Sequence, residues 1–304
     1  MRSRNFLLVV FAVAGSFASF AQSNLLNAKI PAEIGKKTAA QLISDNDKPL
    51  AYGYVHDRDV LMGKTVWEFI DLDERINFPM YFPVDTANIG KDRRSLFDVL
   101  VGGIKSGKIT EVYADDYFNT KRTLKDMKAS FTYIDTIQAG IDEINTYYDD
   151  YKSGKRVLDP QYINQKELTS MDISGYKVKG FWYFDNRQGE LKYRLLAICP
   201  VAPEAREIGN ENADVIELFW VYFPSVRNIL HEHKAFNDRN SAMPITFDHL
   251  LNSRRFSAVI YKEENVYGDR KIEEYMKENA QMQLLESDRV RDKVRDFESD
   301  MWNY

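Results

Sequence analysis

Cysteine is nearly missing from this chain, with Cys199 alone among 304 residues. One thiol cannot close an intrachain disulfide, so a packed core must hold the fold. Glycine and proline are sparse, at 15 and 9 residues, which excludes collagen-like and low-complexity architectures. An excess of positive charge is lacking as well. Lys and Arg number 41 against 46 Asp and Glu, a formal net charge of −5 with no sequence-wide attraction for phosphate backbones. Nucleic acid is therefore not an expected partner. Beyond the N-terminus, no apolar run approaches the roughly 20 residues that cross a bilayer, so no direct membrane span is expected. What is present is 44% hydrophobic and 13% aromatic content, enough to bury a core in one large domain or two modest ones.

Arg2 and Arg4 precede an apolar run from Phe6 to Val13, then small residues ending in Ser19-Phe20-Ala21. That order is the pattern of a secretory signal peptide, and the run is too short for a membrane anchor. Residues 1–21 are expected to be removed, leaving an exported chain that starts at Gln22 and is two charges more negative. Cys199 lies far from that new terminus, so no lipid attachment is expected there. Residues 22–48 mix polar and scattered apolar positions and read as an extension that orders against a partner.

The remaining pattern predicts an α+β fold: an antiparallel sheet with packed helices and a long C-terminal helix. The body is expected over residues 49–268 and the helical segment over 269–304. Leu96, Val99, Leu100 and Ile104 have helical spacing, with Ser95 as cap and Gly107 as stop. Ile109 to Phe118 reads as a strand. Val178, Gly180, Trp182 and Phe184 alternate, Asp185 to Gly189 supplies a turn, and Leu191 to Cys199 returns, so a meander is expected. Val215 to Phe223 continues it, a helix follows Pro224, a short helix runs from Phe247 to about Asn252, and Phe256 to Tyr261 is a further strand. Leu96 to Asp116 resembles Thr246 to Glu264 as helix, link and strand. Two related halves, 49–160 and 161–268, fit that likeness, and so does chance recurrence. From Asp269 on there is no Gly or Pro, so one helix is expected nearly to the end. Val290, Val294, Phe297 and Met301 share one face of it, and Asp288, Asp292, Asp296 and Asp300 form an acidic row.

Candidate chemistry is thin. Gly102-Gly103-Ile104-Lys105-Ser106-Gly107-Lys108-Ile109-Thr110 approaches a phosphate loop, but Ile109 stands where a metal-holding Ser or Thr belongs. The segment also ends a helix, whereas a phosphate loop opens one. A glycine-capped turn accounts for it better. In His231-Glu232-His233 the two imidazoles would project about 200° apart on a helix, which prevents them from sharing an ion. Cys199 sits in an apolar run and reads as a buried strand thiol. The pairs Asp115-Asp116 and Asp149-Asp150 point apart in regular structure. No catalytic, cofactor-binding or metal-binding residues are therefore expected, and no cofactor. The candidate partner-interface residues are Trp67, Tyr81, Phe82, Val290, Val294, Phe297, Met301 and Trp302. Each has a competing role: Trp67, with Ile70, Phe78, Tyr81 and Phe82, anchors either the body or a subunit contact, and the helix face packs on its own domain or on a partner. Tyr147, Tyr148 and Tyr151 would suit either a glycan or packing.

The segment Lys64-Thr65-Val66-Trp67-Glu68-Phe69-Ile70-Asp71-Leu72-Asp73-Glu74-Arg75-Ile76-Asn77-Phe78-Pro79-Met80-Tyr81-Phe82-Pro83 resembles the GldN/PorN family of gliding-motility and type IX secretion proteins. Asn265 to Ile272 and the ending Phe297 to Tyr304 agree with it. The resemblance implies a non-catalytic periplasmic component of Bacteroidetes that forms a large ring with an outer-membrane lipoprotein, GldK or PorK. It also implies contact with the GldL/GldM (PorM-like) motor complex. Other classes that fit an exported chain are a glycan- or peptidoglycan-binding module and a periplasmic hydrolase or chaperone.

Overall fold

The computed structural model describes Ile30 and residues 48–86, 93–210, 213–236, 245–277 and 279–301. The chain enters its main sheet through β1 (Val60–Asp71), a strand that sequence periodicity left unassigned. The reason is burial on both faces: Val66, Trp67 and Ile70 are all buried, so apolar and polar positions do not alternate. After α1 (Phe78–Tyr81), α2 (Leu96–Lys105) and α3 (Leu124–Phe131), β2 (Thr132–Thr136) and β3 (Ile163–Glu167) pair as a separate two-stranded sheet. Their connection carries α4 (Gln138–Thr146) and α5 (Tyr148–Lys152).

The expected meander follows as β4 (Gly175–Asp185) and β5 (Glu190–Pro203), then the short strands β6 (Val215–Glu217) and β7 (Val221–Tyr222). Next come α6 (Phe223–Glu232), the small pair β8 (Lys234–Ala235) and β9 (Ile245–Thr246), α7 (Phe247–Asn252), β10 (Val259–Glu263), α8 (Ile272–Tyr275) and α9 (Ala280–Met301). The main sheet runs β10-β1-β4-β5-β6, with β7 also on β5, and every pairing is antiparallel. The fold is thus the expected α+β class with a long C-terminal helix.

Helix α2 shows how the sequence builds the core. Ser95 Oγ accepts the Asp98 amide at 3.1 Å and starts the helix, while Gly107, at φ +72, ends it. Leu96, Leu100 and Ile104 then repeat every four residues and bury one stripe. That stripe packs with Phe223 and Leu230 of α6 and Phe247 and Leu251 of α7 against Ile70, Tyr176, Val178 and Ile198 of the sheet. Each such side chain contributes about 1.5 to 3 kcal/mol by leaving water. Gly180 has a different task. Tyr193 lies over it so closely that a Cβ would stand 2.2 Å from the ring, so only glycine fits opposite Val66.

Several local expectations need correction. Ile109 to Phe118 is not a strand: Tyr113 alone makes bridges, to Lys121 and Trp220. The Asp115 carboxylate accepts the amides of Tyr117, Asn119 and Thr120 and curls the chain into a loop, with Phe118 at φ 62. Val215 to Phe223 is two strands, because after Leu218, whose amide still donates to the Pro200 carbonyl, Phe219 and Trp220 leave the β5 ladder and Trp220 bridges Tyr113 instead. The strand expected from Phe256 begins at Val259, since Phe256 turns into the core and the Ser257 amide binds Asn77 Oδ1. The C-terminal helix is not continuous from Asp269, which sits at φ 57. Met276 caps α8, and α9 starts at Ala280.

Candidate partner interface

Trp67 belongs to a row that crosses the sheet. Registered pairing sets Lys262, Trp67, Lys179, Ala197 and Tyr222 side by side on neighbouring strands. Both ammonium groups lie over the indole, Lys262 at 4.1 Å and Lys179 at 4.8 Å from its centre. The Asp115 loop closes over them: Tyr117 lies 4.4 Å from Lys179 and 4.7 Å from Lys262. Lys262 donates to Asp116 Oδ2 and to the Tyr117 hydroxyl, both at 3.1 Å, and Tyr117 donates to Asp269 at 2.7 Å. Burial pushes the Lys179 ammonium below the ordinary lysine value, with Asp116 opposing. Burial also works to lower Lys262, but its bonds to Tyr117 and Asp116 outweigh that and raise it. Trp67 is 1% exposed and packs inside its own chain with Tyr113, Cys199 and Trp220.

The apolar stripe of α9 is likewise used internally. Val290 packs with Val66 and Ile260, Val294 is buried, and the Phe297 ring meets Phe184 edge-on at 5.9 Å. Met301 is half-buried, and Trp302 lies outside the described residues. In the acidic row, Asp288 and Asp292 pair with Arg291 and Arg295 at 3.0 and 2.7 Å. What α9 leaves in water is a different set, Met282, Leu284 and Leu285, the last 61% exposed. Sequence reasoning missed these three because they break the spacing of the buried face.

Among the other candidates, Tyr81 is half-buried and donates to the Met171 carbonyl at 3.3 Å. Phe82 and Phe78 are both exposed and meet edge-on at 5.4 Å, ahead of the cis Phe82-Pro83 bond. A second apolar surface that the sequence did not single out lies on one face of the β2–β3 pair. Ile134 opposite Gln165 and Ile163 opposite Thr136 share that face and are exposed, whereas Tyr133 on the other face packs on the core.

The remaining motifs find structural partners. Arg156 stacks 4.1 Å from Tyr147, Lys152 lies 5.7 Å from Tyr148, and Tyr151 donates to Glu143. His231 belongs to α6, while His233 follows its end and places Nδ1 2.9 Å from the Ile229 carbonyl. Cys199 is fully buried, and burial pushes its thiol well above the ordinary value. No helix among the described residues is long and apolar enough to cross a membrane. The family model described as "Gliding motility associated protein GldN" matches residues 55–303, and the chain belongs to this family. No curated protein matches the chain.

Proposed function

Proceeding from that membership, we propose that this gliding-motility-associated chain is a non-catalytic structural component of the type IX secretion machinery. It works in the periplasm after loss of residues 1–21, where it forms a ring with a GldK/PorK-like outer-membrane lipoprotein and contacts the GldL/GldM motor complex. The observation that carries this reading is the family match across residues 55–303. Two surface features support it. Phe78 with Phe82, and Met282 with Leu284 and Leu285, are large apolar groups left in water, the kind of surface that subunit contacts cover. Trp67, Val290 and Val294 serve assembly indirectly in this reading, by fixing the elements that carry those groups.

The test is made in the native cell. Deleting the gene should abolish both gliding and protein secretion, and the tagged protein should co-purify with the lipoprotein. The double change Leu284→Asp, Leu285→Asp should leave the melting temperature unchanged and remove the lipoprotein from the purified complex. Normal gliding and secretion in the deletion strain would defeat the proposal.

A further inference from the structure

Gly102 to Lys108 fails as a phosphate loop, yet its residues converge on one open cavity of about 550 Å³. Lys105, Lys108, Arg94, His233 and Asp98 line it together with the two glycines. The volume lies within the roughly 300 to 1,000 Å³ common for small-molecule sites.

The glycines differ in a way that points to a ligand. A Cβ on Gly103 would stand 2.8 Å from the Ile109 side chain, so close packing explains that glycine. A Cβ on Gly102 would meet nothing within 4 Å among the described residues, and its position inside α2 is ordinary helix. Packing therefore gives no reason for a residue that costs a helix about 1 kcal/mol relative to alanine. A bare backbone in a cavity wall does have a use: it lets a bound molecule approach closely.

The charges define the molecule. Lys108 pairs with Glu232 at 2.6 Å and Lys105 with Glu167 at 3.4 Å, and all four side chains are more than half exposed. Exposed pairs of this kind contribute only about 0 to 1 kcal/mol, so an incoming carboxylate can replace either glutamate at small cost. The carbonyl end of a helix would ordinarily repel an anion. Here the Gly102, Gly103 and Ile104 carbonyls already accept the amides of Ser106, Ile109 and Gly107. His233 donates Nδ1–H to the Ile229 carbonyl, which fixes the imidazole in the cavity wall. Asp98 adds an acceptor suited to hydroxyl groups.

We propose that this cavity binds a small polyhydroxy carboxylate of the size of an acidic monosaccharide, its carboxylate on Lys105 and Lys108, its hydroxyls on Asp98 and its ring against Gly102. This function is separate from assembly into a ring and does not depend on it.

Isothermal titration of the full chain with glucuronate tests the proposal, with glucose and inorganic phosphate as comparison ligands. Glucuronate should bind, and glucose should bind at least roughly tenfold more weakly, the value of a charged hydrogen bond. Lys108→Gln should weaken glucuronate by a similar factor, and Gly102→Leu should abolish binding while the circular dichroism spectrum is unchanged. If Gly102→Leu does not fold, Gly102→Ala, which adds one methyl in open space, should melt higher and bind more weakly. No glucuronate binding, equal binding of glucose, or unchanged affinity in the Gly102 and Lys108 variants would overturn the site. Phosphate binding as strongly as glucuronate would mark an adventitious ion only and overturn it too.

Discussion

The buried amide of Ile260 donates to the buried hydroxyl of Ser287 at 2.9 Å. Ile260 lies on β10, an end strand of the sheet, and Ser287 on α9. One turn further along α9, Arg291 donates to the Ala258 carbonyl at 3.0 Å. Side chains of the C-terminal helix thus satisfy backbone groups that another strand would otherwise pair, and they cover an edge prone to aggregation.

Ser287→Ala keeps the shape of the contact and leaves the Ile260 amide buried without an acceptor. The expected cost is about 1 to 3 kcal/mol, read from the urea unfolding midpoint. Wild-type stability in this variant would show that the edge amide reaches another acceptor. Deleting residues 286–304 also removes Val290 and Val294, so the truncated body should lose its cooperative melt.

Glu68 and Arg254 form a pair with two bonds of 2.8 Å, and Glu68 is 1% exposed. Arg254 holds a left-handed φ of 50 and stacks on Tyr193 at 4.1 Å. Arg254→Ala strands the Glu68 carboxylate in the core and should cost about 3 to 5 kcal/mol. The apolar pair Glu68→Leu, Arg254→Met should recover much of that loss. A double variant no more stable than Arg254→Ala would mean that the guanidinium stacking, not the charge, holds the site.

Glu217 accepts from Lys177 Nζ and from Trp220 Nε1, each at 2.8 Å. Burial works to raise its carboxyl, but those two bonds outweigh it and hold the group below the ordinary glutamate value. A depressed acid contributes stability that is present above its unfolded pKa and is lost as pH falls through the folded one. Stability should therefore decline on acidification below about pH 4.3. Glu217→Gln should flatten that part of the decline in chemical-denaturation series at several pH values, and an identical slope would remove Glu217 from the acid response.

Trp67→Ala opens a void between two lysines and should cost about 3 to 5 kcal/mol. Trp67→Phe should cost less, because a ring remains under both ammonium groups and the indole Nε1 has no hydrogen-bond partner among the described residues to lose. Thermal melts of the two variants check the order. An unchanged melting temperature in Trp67→Ala, with assembly lost, would instead assign the indole to an intermolecular contact.

The sequence by itself determined the elements whose signals are local. Helix α2 was legible because Ser95, its four-residue apolar repeat and Gly107 lie within a dozen positions, and the β4–β5 hairpin because alternation flanks one turn. The separation of Val290 and Val294 from the charged rows of α9 was also legible, since helical spacing alone sorts them. What covers that face was not. Only the tertiary structure decided that it closes the β10 edge, that Trp67 sits between Lys179 and Lys262, and that Glu68 meets Arg254 across 186 positions. Periodicity reports which side of an element avoids water, whereas the partner on that side is chosen by strand register and packing between segments far apart in the chain. The same limit applies to Gly102 to Lys108, whose cavity is completed by His233 from beyond α6.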